Sequence, residues 1–458
     1  MYYILFSICI LSRLLTSIYY IEDIDSLRFA LGVADEYNVA RFQPHFPGYP
    51  VFCFFVYVFY SLSDRLALSF SMVGGISTFI IIYYSVKMIN LKTWSKQSVV
   101  FILIVFFNPM IWNLGNRYMA DLMGLGVAVA SIYYMVYRQD KKSQMLGFFL
   151  GGLLLGVRLS YFPLITVPFV LILFKRKDLI HSFTFLFFGV ATWFTPFIFT
   201  QGLENILSVA IKHSIGHFND YGGTIITESS FFNRSRSLVH TIWSDGLGGY
   251  WLGRAWTTSL IGVLTIFISK KLFTNPRGIL NSKVKVLLIS GLVYLVWIFF
   301  FQNLIYKSRH VLPLVFIILM LIGLTLKHQK NFTVHYILIL LLGVLNYNIV
   351  SGHKSGTAIY QLRTSLDEKG VDVVVSNPLI NYYLRLTGIK SDYIDVETFT
   401  LSNFKEKYSS DKNIKVIGNY ANLFGADYKL SIDTTFYHNP YMNRMWSAIP
   451  IYSLDQTK

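Results

Sequence analysis

Charge is scarce in this sequence. Of 458 residues only 14% are charged, while 54% are hydrophobic and 17% aromatic. A soluble domain carries about 25% charged residues, so this chain cannot hide its apolar surface in one water-facing core. Cysteine is scarcer still. Cys9 and Cys53 both lie inside apolar stretches, which excludes a disulfide framework and a cysteine metal cluster. There is no glycine-rich loop to cradle phosphates, which disfavours a nucleotide sugar as substrate. An internal repeat and low-complexity tracts are also missing. The first apolar run, Tyr2 to Ile21, lacks a basic leading region and a small-residue cleavage site, and it holds Arg13 near its middle. It reads as a retained first span.

Acidic residues are the last shortage, and they are missing unevenly. The net charge is +16, yet the final 108 residues carry 12 basic and 11 acidic side chains. The excess therefore sits in the loops between apolar runs, where the positive-inside rule puts it, and nucleic-acid binding is excluded by that placement. Long apolar runs recur, among them Val99 to Phe107, Val286 to Phe301 and Val311 to Leu326. The bilayer must be the solvent.

The fold expected is an α-helical polytopic membrane protein with about 11 transmembrane helices. The spans read are 2–21, 66–86, 98–114, 119–137, 144–156, 159–174, 181–200, 255–273, 284–302, 309–327 and 333–350. Basic clusters on both sides of 144–174, at Arg138, Lys141 and Lys142 and at Lys175, Arg176 and Lys177, require two crossings there. The aromatic stretch 49–62 is read as re-entrant or interfacial, because a full span would send Lys87, Lys92 and Lys96 outward. The amino terminus is then cytoplasmic and the carboxy terminus outside. Three outer segments follow: loop 22–48, loop 201–254 and the tail 351–458. The tail reads as a small α/β domain, with strands near Val371–Ser376, Lys415–Gly418 and Tyr428–Ile432 and helices near Pro378–Thr387 and Ser402–Tyr408.

Five of the acids before residue 351 fall in the first outer loop: Glu22, Asp23, Asp25, Asp35 and Glu36. Such a cluster is either a solvated loop or a set of carboxylates that holds a divalent cation (Glu22 and Asp25) or takes a proton from a nucleophile. Asp121 opens a span, where a carboxylate is a functional candidate or a helix N-terminal acid favoured by the dipole. Gln43 to Pro50 (QPHFPGYP) forms a rigid turn that carries His45 and Tyr49, as a linker or as substrate contacts. Arg158 and Arg309 stand at outer span ends, to snorkel toward headgroups or to clamp a lipid phosphate. Loop 201–254 offers His213 and His217 at i,i+4 spacing, then Asp220, Arg234, Arg236 and His240 among Trp243, Trp251 and Trp256. A metal pair or a sugar-stacking surface would both suit.

The acids Glu22-Asp23-Ile24-Asp25, the run His45-Phe46-Pro47-Gly48-Tyr49-Pro50, Asp121 at the start of a span and Arg309-His310-Val311-Leu312-Pro313 at a late one form a pattern. It resembles the GT-C superfamily of polytopic glycosyltransferases, nearest to the protein O-mannosyltransferase and aminoarabinose-transferase branch. Phe46 stands where relatives with a His-Pro-Pro-Gly-Tyr-Pro motif have proline. The resemblance covers residues 1–350; the tail is similar only in position and general class. It implies Asp25 or Asp23 as the catalytic carboxylate, Asp121 as the second acid and Arg309 as the donor-phosphate ligand; Arg158 joins Arg309 as a phosphate ligand by its own span-end position. His45, Tyr49 and His217 fall to substrate binding. The implied reaction is inverting transfer of a sugar from a polyprenyl- or dolichyl-phosphate donor to a lipid, glycan or protein acceptor, with a divalent ion in some relatives. Two other readings remain: a glycan polymerase or ligase working through Arg and His of loop 201–254, and a lipid-linked sugar transporter or flippase.

Overall fold

The computed structural model describes residues 1–176, 179–228, 230–274, 276–408 and 412–456. Lys177 of the third basic cluster lies outside the described residues. The chain divides into two compact units, one of residues 1–19 and 28–348, the other of residues 20–27 and 349–458.

The larger unit is helical. Its helices in chain order are α1 (Tyr2–Leu15), α2 (Ile24–Ala34, which begins in the smaller unit), α3 (Pro50–Ser63), α4 (Leu66–Ile89), α5 (Lys96–Phe106), α6 (Pro109–Leu114), α7 (Asp121–Ile132), α8 (Lys141–Arg158), α9 (Phe162–Arg176) and α10 (Leu179–Gln201). They continue through α11 (Leu203–Gly216), α12 (Phe231–His240), α13 (Thr257–Thr274), α14 (Pro276–Ile279), α15 (Ser282–Phe301), α16 (Leu312–Thr325) and α17 (Thr333–Gly352). Seven segments among the described residues are long and apolar enough to cross a bilayer, and four apolar helices are shorter: α1, α3, α5 and the stretch Asp121–Tyr137. This is an integral, multi-pass membrane protein.

Local chemistry explains where helices stop. The run 98–114 is broken because the Asn108 side chain accepts the Ile111 amide and caps a new helix that opens on Pro109. The run 141–174 is interrupted at Arg158 (φ −156°, ψ 87°) and a 3₁₀ turn, Leu159–Tyr161. Of the seven, Ser308–Thr325 around α16 is the most enclosed by protein and α10 the least. On α10, Phe183, Phe187, Phe188 and Phe199 face outward, which only a lipid solvent tolerates. Its other side packs on α8 at glycines: a Cβ on Gly152 would overlap the Leu186 carbonyl, and one on Gly189 that of Phe149.

The smaller unit holds α18 (Ala358–Lys369), α19 (Pro378–Leu386), α20 (Leu401–Lys407) and α21 (Ala421–Phe424), with β1 (Val373–Ser376), β2 (Asp392–Asp395), β3 (Ile414–Ile417), β4 (Tyr428–Tyr437) and β5 (Ala448–Gln456). The sheet order is β2-β1-β3-β5-β4. β1 runs parallel to β2 and β3, while β5 is antiparallel to β3 and β4. Every residue of β1 is buried, as a central parallel strand should be. Its Val373 and Val375 pack with Val416, Phe404 and Phe424. The strands expected at 371–376, 415–418 and 428–432 and the helices expected at 378–387 and 402–408 are present, the third strand being longer. α18, β2 and β5 were not anticipated.

Candidate functional site

In the larger unit two buried guanidiniums meet one buried carboxylate. Asp121, first residue of α7, is fully enclosed, with Arg158 Nη2 2.9 Å from its Oδ1 and Arg309 Nε 3.6 Å from its Oδ2. The Tyr161 hydroxyl approaches the same Oδ1 at 3.4 Å. A buried carboxylate needs such partners, because desolvation costs several kcal/mol per ion. Each partner comes from a helix end. Arg158 sits at the break between α8 and the 3₁₀ turn, and Arg309 sits in the 3₁₀ turn Ser308–Val311 that leads into α16. Gly124 makes the approach possible, since a Cβ there would fall 2.6 Å from Arg158 Cβ and 3.2 Å from the Tyr161 ring.

From Arg158 the polar path runs on through the proline-rich turn. Arg158 Nη1 donates to the Tyr49 hydroxyl at 3.2 Å, and that hydroxyl lies 3.0 Å from His45 Nε2. Tyr49 precedes Pro50 with φ 50° and ψ 46°, a left-handed backbone that costs a non-glycine residue about 1–3 kcal/mol. Its ring lies 5.0 Å from that of Phe29 and its hydroxyl points to Arg158. His45 stacks on His213 at 5.9 Å, and His213 on His217 at 6.3 Å. His217 opens a π-helical turn, His217–Tyr221, a local widening common at functional sites. Burial holds its imidazole below its ordinary pKa, against the Phe301 carbonyl that its Nε2 meets at 2.8 Å. Six residues singled out from the sequence, Asp121, Arg158, Arg309, Tyr49, His45 and His217, thus lie on one path through side chains.

Two residues beside this path, Tyr161 and Tyr294, carry no signal in the sequence. Tyr161 and Tyr294 are buried with rings 5.7 Å apart, and the Tyr294 hydroxyl donates to the His310 carbonyl. Tyrosines in apolar runs give no signal that separates them from packing residues. His213 was noted only as half of a metal pair.

Of the first-loop acids, Glu22, Asp23 and Asp25 belong to the smaller unit, and two of these three have evident structural tasks. Asp23 Oδ1 accepts the Ser26 amide at 2.7 Å and caps α2, while its Oδ2 accepts Asn443 Nδ2 at 2.7 Å. Glu22 Oε1 faces His353 Nε2 at 3.2 Å, and the Glu22 carbonyl accepts the Thr357 hydroxyl. Asp25 is buried in the first turn of α2, where the helix dipole favours a carboxylate. Among the described residues no group of three or more His, Cys, Asp or Glu side chains is placed to hold a metal ion.

Two basic residues of loop 201–254 are also committed. Arg234 is fully enclosed and donates to the carbonyls of Gly223, Phe299 and Gln302. Arg254 pairs with Asp245 at 2.6 Å.

No known family profile matches the chain, and no curated protein matches it. Among solved structures it is similar to the crystal structure of ArnT from Cupriavidus metallidurans bound to undecaprenyl phosphate, with a TM-score of 0.55, 10% identity, 98% of this chain covered and 97% of that one. The likeness spans both units. The GT-C-like fold that the sequence motifs implied, with the small C-terminal α/β domain read from the pattern of the tail, is the fold of this chain.

Proposed function

We propose that the protein is a membrane glycosyltransferase that moves a sugar, with inversion, from a polyprenyl- or dolichyl-phosphate donor to an acceptor on the extracytoplasmic side. The observation that carries this reading is the buried cluster Arg158–Asp121–Arg309. Two guanidiniums gathered on one carboxylate at helix ends suit an anionic phosphate, which Arg grips as a fork. The solved neighbour of the same fold is bound to undecaprenyl phosphate, which supports the same donor class here.

In the proposed reaction the acceptor hydroxyl oxygen attacks the anomeric carbon as the bond from that carbon to the phosphate oxygen breaks. Asp25 takes the hydroxyl proton. Arg309, with Arg158, stabilises the charge gained by the leaving lipid phosphate. Asp121 holds the two guanidiniums in place, and His45, Tyr49 and His217 border the sugar or acceptor. The domain division assigned is 1–350 as catalytic membrane domain and 351–458 as extracytoplasmic domain. The amino terminus is cytoplasmic, as in a bacterial inner or plasma membrane. Loops 22–48 and 201–254 face outward with the carboxy terminus.

The polymerase or ligase reading loses ground, because Arg234 and Arg254 of loop 201–254 serve the fold. The decisive experiment supplies vesicle-reconstituted protein with a polyprenyl-phosphate sugar and measures release of the polyprenyl phosphate. Release that requires acceptor supports the transferase; transbilayer movement of intact donor without release would establish the flippase instead. Orientation is checked by cysteine labelling at Lys92 and Thr398. The two should label from opposite sides, and labelling from one side would overturn the threading.

A further inference from the structure

A second basic site lies away from the Asp121 cluster, at one membrane boundary of the larger unit. A cavity of about 200 Å³ opens where the stretch Asp121–Tyr137 ends, α8 begins, α9 ends and α15 begins. Its polar lining is Arg138, Gln139, Gln144, Ser282 and Lys283, and its apolar lining includes Pro168, Ile172 and Val286. The cavity thus combines cations and hydrogen-bonding groups with an apolar lining, at the ends of apolar helices.

Two helix irregularities border it. Residues Tyr133–Tyr137 form a π-helical turn, and Pro168 lies inside α9, where it removes a backbone hydrogen bond and prevents close packing. The decisive residue is Gln144. The residue is only 8% exposed, and its Nε2 donates to the carbonyls of Arg138 (3.2 Å) and Met135 (3.5 Å). Those two bonds fix which end of the amide is oxygen. Its Oε1 is buried and has no hydrogen-bond partner among the described residues. A buried acceptor left unmade costs about as much as a lost hydrogen bond, so the site awaits a donor. Lys283 Nζ lies 5.3 Å from the Tyr137 ring centroid and 3.4 Å from the Tyr137 carbonyl. Arg138 has an exposed carboxylate neighbour, Asp140, at 3.4 Å, a surface pair too weak to withhold it from a phosphate.

We infer that this cavity binds one anionic glycerophospholipid whose headgroup bears a hydroxyl, such as phosphatidylglycerol. Arg138 and Lys283 meet the phosphate, Gln144 Oε1 accepts the headgroup hydroxyl, and the start of an acyl chain follows Pro168, Ile172 and Val286. Charge complementarity selects this occupant over a zwitterionic lipid, and the apolar lining selects a lipid over free phosphate. The site takes a structural lipid of the membrane face that carries the basic loops; that this face is cytoplasmic rests on the orientation proposed above.

The test uses the full chain in vesicles of phosphatidylcholine with added phosphatidylglycerol, extracted gently and weighed with its retained lipid by native mass spectrometry. Wild type should retain phosphatidylglycerol in preference to phosphatidylcholine. Each charge removed should weaken retention roughly fivefold, so R138Q/K283Q should lose the preference. The control K92Q/K96Q removes two charges outside the cavity lining and should keep it, and Gln144→Leu should weaken retention with both charges in place. Equal loss in the control would mean diffuse charge attraction and overturn the site. So would stabilisation by inorganic phosphate alone, preference for polyprenyl phosphate, or undiminished retention by R138Q/K283Q. Because Arg138 and Lys283 touch none of the residues proposed for transfer, sugar transfer by R138Q/K283Q reports separately on the function proposed above.

Discussion

Asp121 in the larger unit and Asp23 in the smaller are both fully buried aspartates near a helix start, and the sequence marks both as catalytic candidates. Asp121 meets two guanidiniums and a tyrosine hydroxyl. Asp23 accepts a backbone amide at a helix start and an asparagine among its bonds. Burial alone therefore does not identify a reactive carboxylate. Guanidiniums bring mobile recognition chemistry that an anionic ligand can share, while an amide cap and an asparagine bond serve the fold.

The largest effect that would sharpen the contrast comes from Asp121→Asn. Removing the charge leaves two buried guanidiniums facing each other, which should cost about 3–5 kcal/mol of stability. Thermal unfolding in a fixed detergent should show a clear drop in Tm. A variant that melts like wild type would mean that the cluster is solvated in the membrane and that the contrast is false. Asp25→Asn should do the reverse, keeping the fold and insertion while lowering turnover by at least about a hundredfold. Near-normal turnover in that variant would remove Asp25 from the reaction.

Arg309 sharpens the larger unit's side of the contrast. Arg309→Ala should weaken donor binding by about 1.5–3 kcal/mol, and Arg309→Lys should restore only part, because an ammonium cannot reproduce a fork. Turnover measured at limiting donor checks both; an alanine variant that works undiminished would refute the phosphate assignment.

The sequence made the membrane fold legible, because long apolar runs have one solution in a bilayer. The charged cluster was legible for the same reason: Asp121, Arg158 and Arg309 stand out against apolar neighbours. Helix breaks were harder to read. The run 98–114 reads as one helix, although Asn108-Pro109 carries a cap and a proline start. The tasks of the first-loop acids could not be read at all. Glu22 meets His353 across 331 positions and Asp23 meets Asn443 across 420, and no local pattern encodes partners so distant. Tyr49 was visible within QPHFPGYP, yet its place between His45 and Arg158 depends on a left-handed backbone that the motif does not announce.

The smallest expected effect belongs to Asp23, and it decides which unit's carboxylate is structural. Asp23→Ala removes both the cap on the Ser26 amide and the acceptor for Asn443. A lost cap costs about 0.5–2 kcal/mol, and a lost neutral hydrogen bond adds about 1 kcal/mol. Asp23→Asn should cost less. Asparagine caps helices as well as aspartate does, so its oxygen keeps the Ser26 amide while its NH₂ now faces the donor end of Asn443. Stability should therefore rank wild type, then Asn, then Ala. Turnover per folded molecule should stay near wild type in both, because a cap moves no proton. Suppose instead that Asp23→Asn melts almost normally and transfers no sugar. A capping role cannot produce that outcome, and the proton acceptor would then be Asp23, two residues before the aspartate assigned here.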